Sequence, residues 1–266
     1  MGEGKGGGGR SRKHSGGRRL GGGGRPHPAF PHAAHGGGLI ERILYRDALI
    51  LIIDKPAGIA VHAGPSGGAN LEQGFDALRF GLPHAPALAH RLDRDTSGCL
   101  VLGRHRKALA KLGRLFSTGA VEKTYWAVVD GAPPSDEGRI ELSLRKLTSK
   151  AGWHMVADPA GVSAITDYRV LGRANGLTWL ELKPRTGRTH QIRVHCASLG
   201  CPVRGDPVYG SANGQPLHLH ARAISLKLYP ARPPITARAP VPPQMLTALK
   251  ACGFAGDPIP HPSGCP

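Results

Sequence analysis

Aromatic residues, acids and long apolar runs are all scarce in this sequence. Only 5% of its 266 residues are Phe, Trp or Tyr, and 18 acids stand against 35 Lys and Arg, which gives a net charge of +17. No run approaches the roughly 18 consecutive apolar residues that a membrane-spanning helix needs. No apolar segment follows the basic N-terminus as it would in a secretion signal, so we expect a cytoplasmic protein.

Several motifs that would indicate a cofactor or a metal site are also absent from the sequence. The five cysteines are an odd number without regular spacing, as is typical of a reducing compartment. CxxC pairs, HExxH and Cys2His2 patterns do not occur, so we predict no metal site, although several His and Cys lie close along the chain. The absence of a P-loop, of GxGxxG after a strand and of GxSxG argues against nucleotide cofactors and a Ser-His-Asp hydrolase.

Basic residues are what the chain has in excess. Residues 1–38 are rich in Gly, Arg and Pro and contain few large apolar side chains, so we predict a disordered tail that binds RNA loosely or only aids solubility. The tail holds seven Lys and Arg and one acid, which is +6 of the +17 and leaves +11 for the body. A basic body favours an anionic partner, with nucleic acid first and an anionic membrane surface second.

The remaining residues predict one ordered domain over residues 39–253 and an irregular C-terminal tail over residues 254–266. Strand-like runs often follow one another directly, and only a few segments have helical periodicity. The order predicts an α+β fold with a mixed, largely antiparallel sheet and flanking helices. We expect a buried strand from Ser97 to Gly103, a short helix capped by Asn70, and helices that stop at Gly119 and Gly200.

The densest chemistry lies in "HRLDRDTSG", from His90 to Gly98. Asp93 and Asp95 stand among three basic residues, directly before an apolar run. Opposite charge nearby favours the ionised form of a carboxylate, which can act as a nucleophile, a base or an ion-pair partner. The alternative is an ordinary turn, in which Asp95 is a cap and Asp93 forms a structural salt bridge. Hydroxyls and amides that can fix the carboxylate follow at once, on Thr96, Ser97 and Gly98.

Three further segments carry candidate site residues. "KPRTGRTHQIRVH" places Arg188, His190 and Arg193 near a helix N-terminus, where an Arg can pair with a buried carboxylate or hold a phosphate. A solvated basic helix face is the alternative there. "KTYWAVVDG" supplies Tyr125, either for stacking on a base or as a core residue. "DKPAGIAVH" supplies the last two candidates, Lys55 and His62.

Together these segments resemble the pseudouridine synthases of the RluA type. "HRLDRDTSG" is similar to the catalytic motif of that family, "DKPAG" to its first motif, "KTYWAVV" to its tyrosine motif and "PRTGRTHQIRVH" to its basic motif. "RGDPVYG" and "LHARAISL" match later landmarks less tightly. The resemblance spans roughly residues 43–228 and contains four motifs in the family's order.

The resemblance implies an isomerase that cleaves the bond from ribose to N1 of uridine, rotates the uracil and rejoins it through C5. It implies no cofactor and no metal. Asp93 would be the catalytic carboxylate, either adding to the sugar carbon or assisting a glycal-type route. Arg193 would form an ion pair with Asp93, with Arg188 as the second choice. Tyr125 would stack on the uracil, with acceptance of the C5 proton as a further role, although its pKa near 10 makes it a poor base.

The same resemblance assigns RNA contacts and supporting residues. His90 and Arg91 would line the entry and fill the stack that a flipped-out uridine vacates. The remaining residues of the basic and first motifs would contact RNA, namely Lys55, His62, Arg188 and His190. Asp95, with the Thr-Ser-Gly turn at residues 96–98, would support the catalytic aspartate. The RNA would be tRNA or 23S-type large-subunit rRNA, and we expect a monomer.

Two other functions compete with this interpretation. One is a catalytically inactive RNA-binding or ribosome-assembly factor on the same fold. The retention of Asp93, Tyr125 and Arg193 speaks against it. The other is a hydrolase that uses Asp93 and Asp95 as a carboxylate pair. The turn that follows the two acids makes their cooperation improbable.

Overall fold

A computed structural model describes residues 1–2, 38–64, 67–149, 152–211 and 214–257 of the chain. The predicted disordered tail over residues 1–38 and the irregular tail over residues 254–266 lie largely outside the described residues. No helix among the described residues is long and apolar enough to cross a membrane.

Strands are the commonest regular element among the described residues. In chain order they are β1 (Ile43–Arg46), β2 (Ile50–Lys55), β3 (Ala87–Leu88), β4 (Ser97–Gly103), β5 (Val121–Asp130), β6 (Glu137–Ser149), β7 (Gly152–Ala157), β8 (Val162–Ala174), β9 (Leu177–Pro184), β10 (Leu219–Leu226) and β11 (Ile235–Arg238). The α-helices are α1 (Arg106–Ser117), α2 (Gln191–Ser198) and α3 (Pro243–Ala251), and 3₁₀ helices span Leu39–Arg42 and Leu71–Leu78.

All eleven strands of the described residues belong to one sheet, with the central order β1-β2-β4-β10-β5-β9-β8-β6-β7. β3 pairs with β4 and β11 with β10. Every pairing is antiparallel except that between β4 and β10. The α+β prediction with a mixed, largely antiparallel sheet is confirmed.

β4 positions the candidate site, because the segment "HRLDRDTSG", which resembles a catalytic motif, leads into it. Its seven residues are all buried, since apolar clusters cover both faces of the sheet. Leu100 and Leu102 pack on one side against the 3₁₀ helix Leu71–Leu78, and Val101 packs on the other side with Leu112 of α1. The burial fixes the register of the strand and thereby the position of the residues that precede it.

The helices that the sequence predicts are present, with one change of type. α1 begins after His105, whose Nδ1 accepts a hydrogen bond from the Ala108 N–H. The helix predicted after Asn70 is a 3₁₀ helix, and Gln73 accepts the Asn70 N–H at 3.3 Å. α2 is almost entirely buried, so its polar side chains must find partners inside the protein.

Candidate active site

A cleft of about 370 Å³ opens in front of β4. It is bordered by the segment before β4, the middle of β5 and the loop between β9 and α2. Among the described residues that line it, Asp93 is the one carboxylate. The same walls carry five cationic side chains, on Arg91, Lys123, Arg185, Arg188 and Arg193.

The backbone around Asp93 is held by a buried lysine. The Lys55 Nζ donates to the carbonyl oxygens of Pro56, Arg94 and Thr96 at 2.8 to 2.9 Å. The Lys55 side chain is fully buried, so the prediction that it contacts RNA is wrong. Burial lowers the pKa of Lys55 to about 7, and the charges of nearby aspartates, Asp95 first, oppose this shift. Lys55 thereby joins the segment "DKPAG" to the turn that follows Asp93.

The turn after Asp93 is tight and well packed. The Thr96 N–H donates to the Asp93 carbonyl at 3.2 Å, and the Ser97 hydroxyl lies 2.9 Å from Nδ1 of His220 on β10. Gly98 has a φ of +106°, and a Cβ there would lie 2.3 Å from the Ala221 carbonyl oxygen. Only glycine therefore permits the close approach of β4 to β10 at this point.

Asp95 does not share the cleft with Asp93. Its carboxylate accepts hydrogen bonds from the Arg94 side chain at 3.1 and 3.2 Å and lies on the other side of the turn. The Lys55 contacts also hold the backbone of this turn, and the supporting role expected of Asp95 stays a prediction. A hydrolase that uses Asp93 and Asp95 as a pair does not fit this placement.

Arg193 forms a buried ion pair, but with a different aspartate from the one predicted. Its Nε and Nη2 each donate to the Asp206 carboxylate at 2.7 Å. The predicted ion pair with Asp93 is therefore wrong, because two well-aligned bonds already commit the guanidinium to Asp206. Against the effect of burial, Asp206, and to a smaller extent Asp93, raises the pKa of Arg193. Nη1 of Arg193 makes no hydrogen bond within the described part of the chain.

Tyr125 borders the cleft next to Asp93. Its ring packs against both of the apolar clusters that meet under the cleft. Burial, together with the charge of Asp93, raises the pKa of Tyr125 above its ordinary value. The phenol therefore keeps its proton at neutral pH, which opposes the expectation that it accepts the C5 proton. Its flat face suits contact with a base.

The two residues predicted to fill the space left by a flipped-out uridine differ in their contacts within the protein. The His90 ring stacks on Phe116 at 4.6 Å, and its Nε2 accepts the Val101 N–H at 3.0 Å. Burial and the charge of Lys123 lower the pKa of His90 to about 3, so the ring is neutral and engaged in the fold. The prediction that it moves into the RNA stack does not fit these contacts. Arg91 is exposed on the cleft wall and free of ion pairs with described residues.

The loop before α2 is organised by a glutamine that the sequence interpretation passed over. Gln191 Oε1 accepts the Thr186 hydroxyl at 2.7 Å and the Arg188 N–H at 2.9 Å, and its Nε2 donates to β8. Arg188 lines the cleft, and its Nε donates to the Ser163 carbonyl at 3.1 Å. His190 also lines the cleft, whereas His62 does not.

Further residues of the site were missed from the sequence. Asp206 is the most important, and its signal was an isolated acid within "RGDPVYG" in a chain poor in acids. Tyr209 of the same segment places its hydroxyl 2.9 Å from the His190 Nδ1. Lys123 was overlooked beside Tyr125, and its Nζ donates to the Thr186 carbonyl at 3.1 Å. None of the described residues form a group of three or more metal-ligating side chains.

Comparisons with known proteins agree on one family. A family model for RNA pseudouridylate synthase matches residues 49–198. An uncharacterised RNA pseudouridine synthase of Zymomonas mobilis is 45% identical over 209 residues, which cover 77% of this chain and 95% of the relative. The ribosomal large subunit pseudouridine synthase C of Buchnera aphidicola is 39% identical, over 66% of this chain and 56% of that protein.

A solved structure supports the same assignment. The human RNA pseudouridylate synthase domain containing 4 matches this chain with a TM-score of 0.67 and 27% sequence identity. The match covers 80% of this chain and 94% of the human chain. Relatives differ in length, and the chain spans only 40% of the mitochondrial RNA pseudouridine synthase 4 of Arabidopsis thaliana. With its fold, its motif-bearing cleft and these matches, the chain belongs to the RNA pseudouridylate synthase family of isomerases.

Proposed function

We propose that this chain converts specific uridines of large-subunit rRNA or tRNA into pseudouridine, with Asp93 as the catalytic carboxylate. The observation that carries the proposal is a single carboxylate, Asp93, in a described cleft wall that also holds five cations. Cations attract the RNA backbone, and a negative group among them has a chemical rather than an electrostatic use. Relatives named for the ribosomal large subunit favour rRNA as the substrate.

The reaction breaks the C1′–N1 bond and forms a C1′–C5 bond, while C5 loses its proton and N1 gains one. Asp93 acts at the sugar, either by adding to C1′ or by assisting a glycal-type intermediate, and an ionised carboxylate serves both routes. Tyr125 contacts the uracil as a neutral phenol, because burial keeps its pKa high. We assign the remaining guanidinium nitrogen of Arg193 to the uracil once substrate is bound.

A uridine that is stacked in RNA must leave the stack to reach Asp93, because the carboxylate is half-buried inside the cleft. Arg91 is the residue we assign to the space left behind, since it is exposed at the cleft and unpaired with described residues. A planar guanidinium can stack on the neighbouring bases. Arg188 and Arg185 extend the cationic wall toward the RNA backbone.

Mapping pseudouridine in cellular RNA tests the proposal. Total tRNA and rRNA from cells with and without the gene are treated with carbodiimide and read by primer extension. We expect at least one stop to vanish in the deletion, to return with the wild-type gene, and to stay absent with Asp93→Asn. Identical maps would overturn the proposal and support an inactive RNA-binding factor.

A further inference from the structure

Trp153 differs from the other tryptophans of the chain. Trp126 and Trp179 pack edge to face at 4.7 Å and contact Phe254 in the core. Trp153 instead lies on the β6–β7 hairpin with 45% of its surface exposed. A single exposed aromatic needs no partner by itself, so the case for a binding role depends on what Trp153 contacts.

The Trp153 ring is connected to the cleft through one other ring. It stacks on His190 with centroids 5.1 Å apart and planes inclined by 25°. His190 in turn lines the cleft that contains Asp93. The indole therefore lies one aromatic ring beyond the cleft wall.

The ring of His190 that backs Trp153 is held by a hydrogen bond, and the hairpin is joined to the same phenol. The Tyr209 hydroxyl accepts the Met155 N–H at 2.8 Å and lies 2.9 Å from Nδ1 of His190, so one phenol joins the hairpin to the start of α2. Met155 packs with Leu144 on the same side of the hairpin. A ring held in this way loses little conformational freedom when a partner stacks on it.

The charges around Trp153 suit a nucleotide rather than an apolar partner. The Lys146 Nζ lies over the Trp153 ring, 4.8 Å from its centroid, and Arg188 is a further cation on the wall of the cleft that His190 lines. A flexible ammonium next to an aromatic face can bind the phosphate of a base that stacks on the ring. An apolar protein partner would have to desolvate these charges without compensation.

We propose that Trp153, backed by His190, is a stacking platform for the unpaired base next to the target uridine. The inference rests on the proposed function, since it takes the substrate to be RNA with its uridine in the cleft. The platform makes the enzyme prefer uridines whose neighbour is unpaired, because a base inside a duplex cannot leave its stack without cost. Trp153 is thus a specificity-determining residue.

A binding experiment with the full chain tests the platform. The probe is a hairpin RNA with an all-uridine loop, together with copies in which one loop nucleotide at a time carries an abasic ribose. Dissociation constants at one fixed salt concentration are measured by filter binding for the wild type, Trp153→Ala, Trp153→Phe and Leu147→Ala. Leu147 is the matched control, because it is 39% exposed on the same hairpin and its neighbours in register place it on the opposite face.

We expect Trp153→Ala to weaken binding of the intact hairpin by about 5- to 150-fold, the range for one base–aromatic stack. Phe at position 153 should retain most of the affinity, and Leu147→Ala should bind like the wild type. One abasic position should weaken wild-type binding by a similar factor and cause no further loss in Trp153→Ala. If Trp153 only supported the fold, Trp153→Ala would weaken binding by the same factor for the intact hairpin and for every abasic copy.

Three results would overturn the platform. The first is unchanged binding by Trp153→Ala. The second is that the losses from the variant and from the abasic position multiply when the two are combined. The third is that the wild type binds the hairpin no more tightly than it binds a fully paired duplex. Because the readout is binding, it is independent of isomerisation. Identical cellular pseudouridine maps with and without the gene would overturn the proposed function alone, whereas multiplicative losses would overturn the platform alone.

Discussion

Arg193 binds Asp206 through two parallel hydrogen bonds of 2.7 Å, and both side chains are buried. Asp206 also accepts the Val208 and Tyr209 N–H groups, so its carboxylate is saturated. The pair supplies a cation to the cleft wall without adding a second carboxylate to it. Asp93 is in consequence the one acid that described residues offer to a bound uridine.

Asp206→Asn should destabilise the protein strongly. Removing one partner of a buried ion pair leaves the other charge uncompensated, which costs about 3–5 kcal/mol. Urea unfolding gives the free energy of unfolding. The control is Asp136→Asn, since the Asp136–Arg173 pair is largely exposed and contributes about 0–1 kcal/mol. Equal losses in the two variants would contradict the assignment of Asp206 as the anchor of Arg193.

Gly98→Ala should also destabilise the protein, by about 2 kcal/mol or more, because the new methyl group meets the Ala221 carbonyl and the φ is positive. Gly113 of α1 offers the opposite case. A Cβ at Gly113 meets no atom within 4 Å, so Gly113→Ala should stabilise the helix by about 0.5–1 kcal/mol. Thermal unfolding measures the change in stability of each variant. A Gly98→Ala protein as stable as the wild type would contradict the close approach of β4 to β10.

Stability should fall as the pH is lowered through the mildly acidic range. Burial lowers the pKa of His195 to about 4, and of His90 and His220 to about 3 and 4. The unfolded chain therefore binds more protons between about pH 6.5 and 4, and the free energy of unfolding decreases over that window. Asp54 acts in the opposite direction, because burial raises its pKa to about 6.

Replacing one histidine separates these contributions. His195→Leu removes the group but keeps a side chain of similar volume, so its free energy of unfolding should depend less steeply on pH than that of the wild type. Urea unfolding of the wild type and of His195→Leu at pH 7 and pH 5 gives the change of the free energy of unfolding with pH for each protein. Parallel slopes would show that His195 does not titrate with a lowered pKa in the folded protein.

Arg91→Ala should reduce turnover of structured RNA far more than Arg94→Ala. Arg91 lies on the cleft wall, whereas Arg94 forms a surface ion pair with Asp95. We expect kcat/KM to drop by about 10-fold or more for Arg91→Ala, since part of the cost of base flipping is no longer offset. Similar activities of the two variants on a paired uridine would contradict the role assigned to Arg91.

Hydrophobic patterning made most of the fold predictable. The run after Gly98 could only be a buried strand, and the helical stops at Gly119 and Gly200 follow from glycines with φ near +70° to +76°. The type of the helix after Asn70 was not predictable, because a 3₁₀ helix and an α-helix share capping residues and short apolar patterns. The parallel β4–β10 pairing joins segments more than a hundred residues apart and depends on tertiary packing.

The site was predictable in its residues and less so in its contacts. The motifs assigned Asp93, Tyr125 and Arg193 to one site, and the structure brings all three to the cleft. The sequence could not say which acid Arg193 binds, because nearness along the chain carries no information about pairing across elements. It also could not show that Lys55 turns inward, since a lysine next to Pro-Gly is usually exposed.

Release of tritium from RNA labelled at C5 of uridine tests the role of Asp93 most directly, because C5 loses its hydrogen when the new bond forms. The RNA is the one that the cellular map identifies, and its dissociation constant is measured in parallel. Asp93→Asn should bind this RNA as the wild type does and release no tritium. Asp95→Asn, the matched control, should release it at nearly the wild-type rate. Tritium release by Asp93→Asn at the wild-type rate would contradict the account.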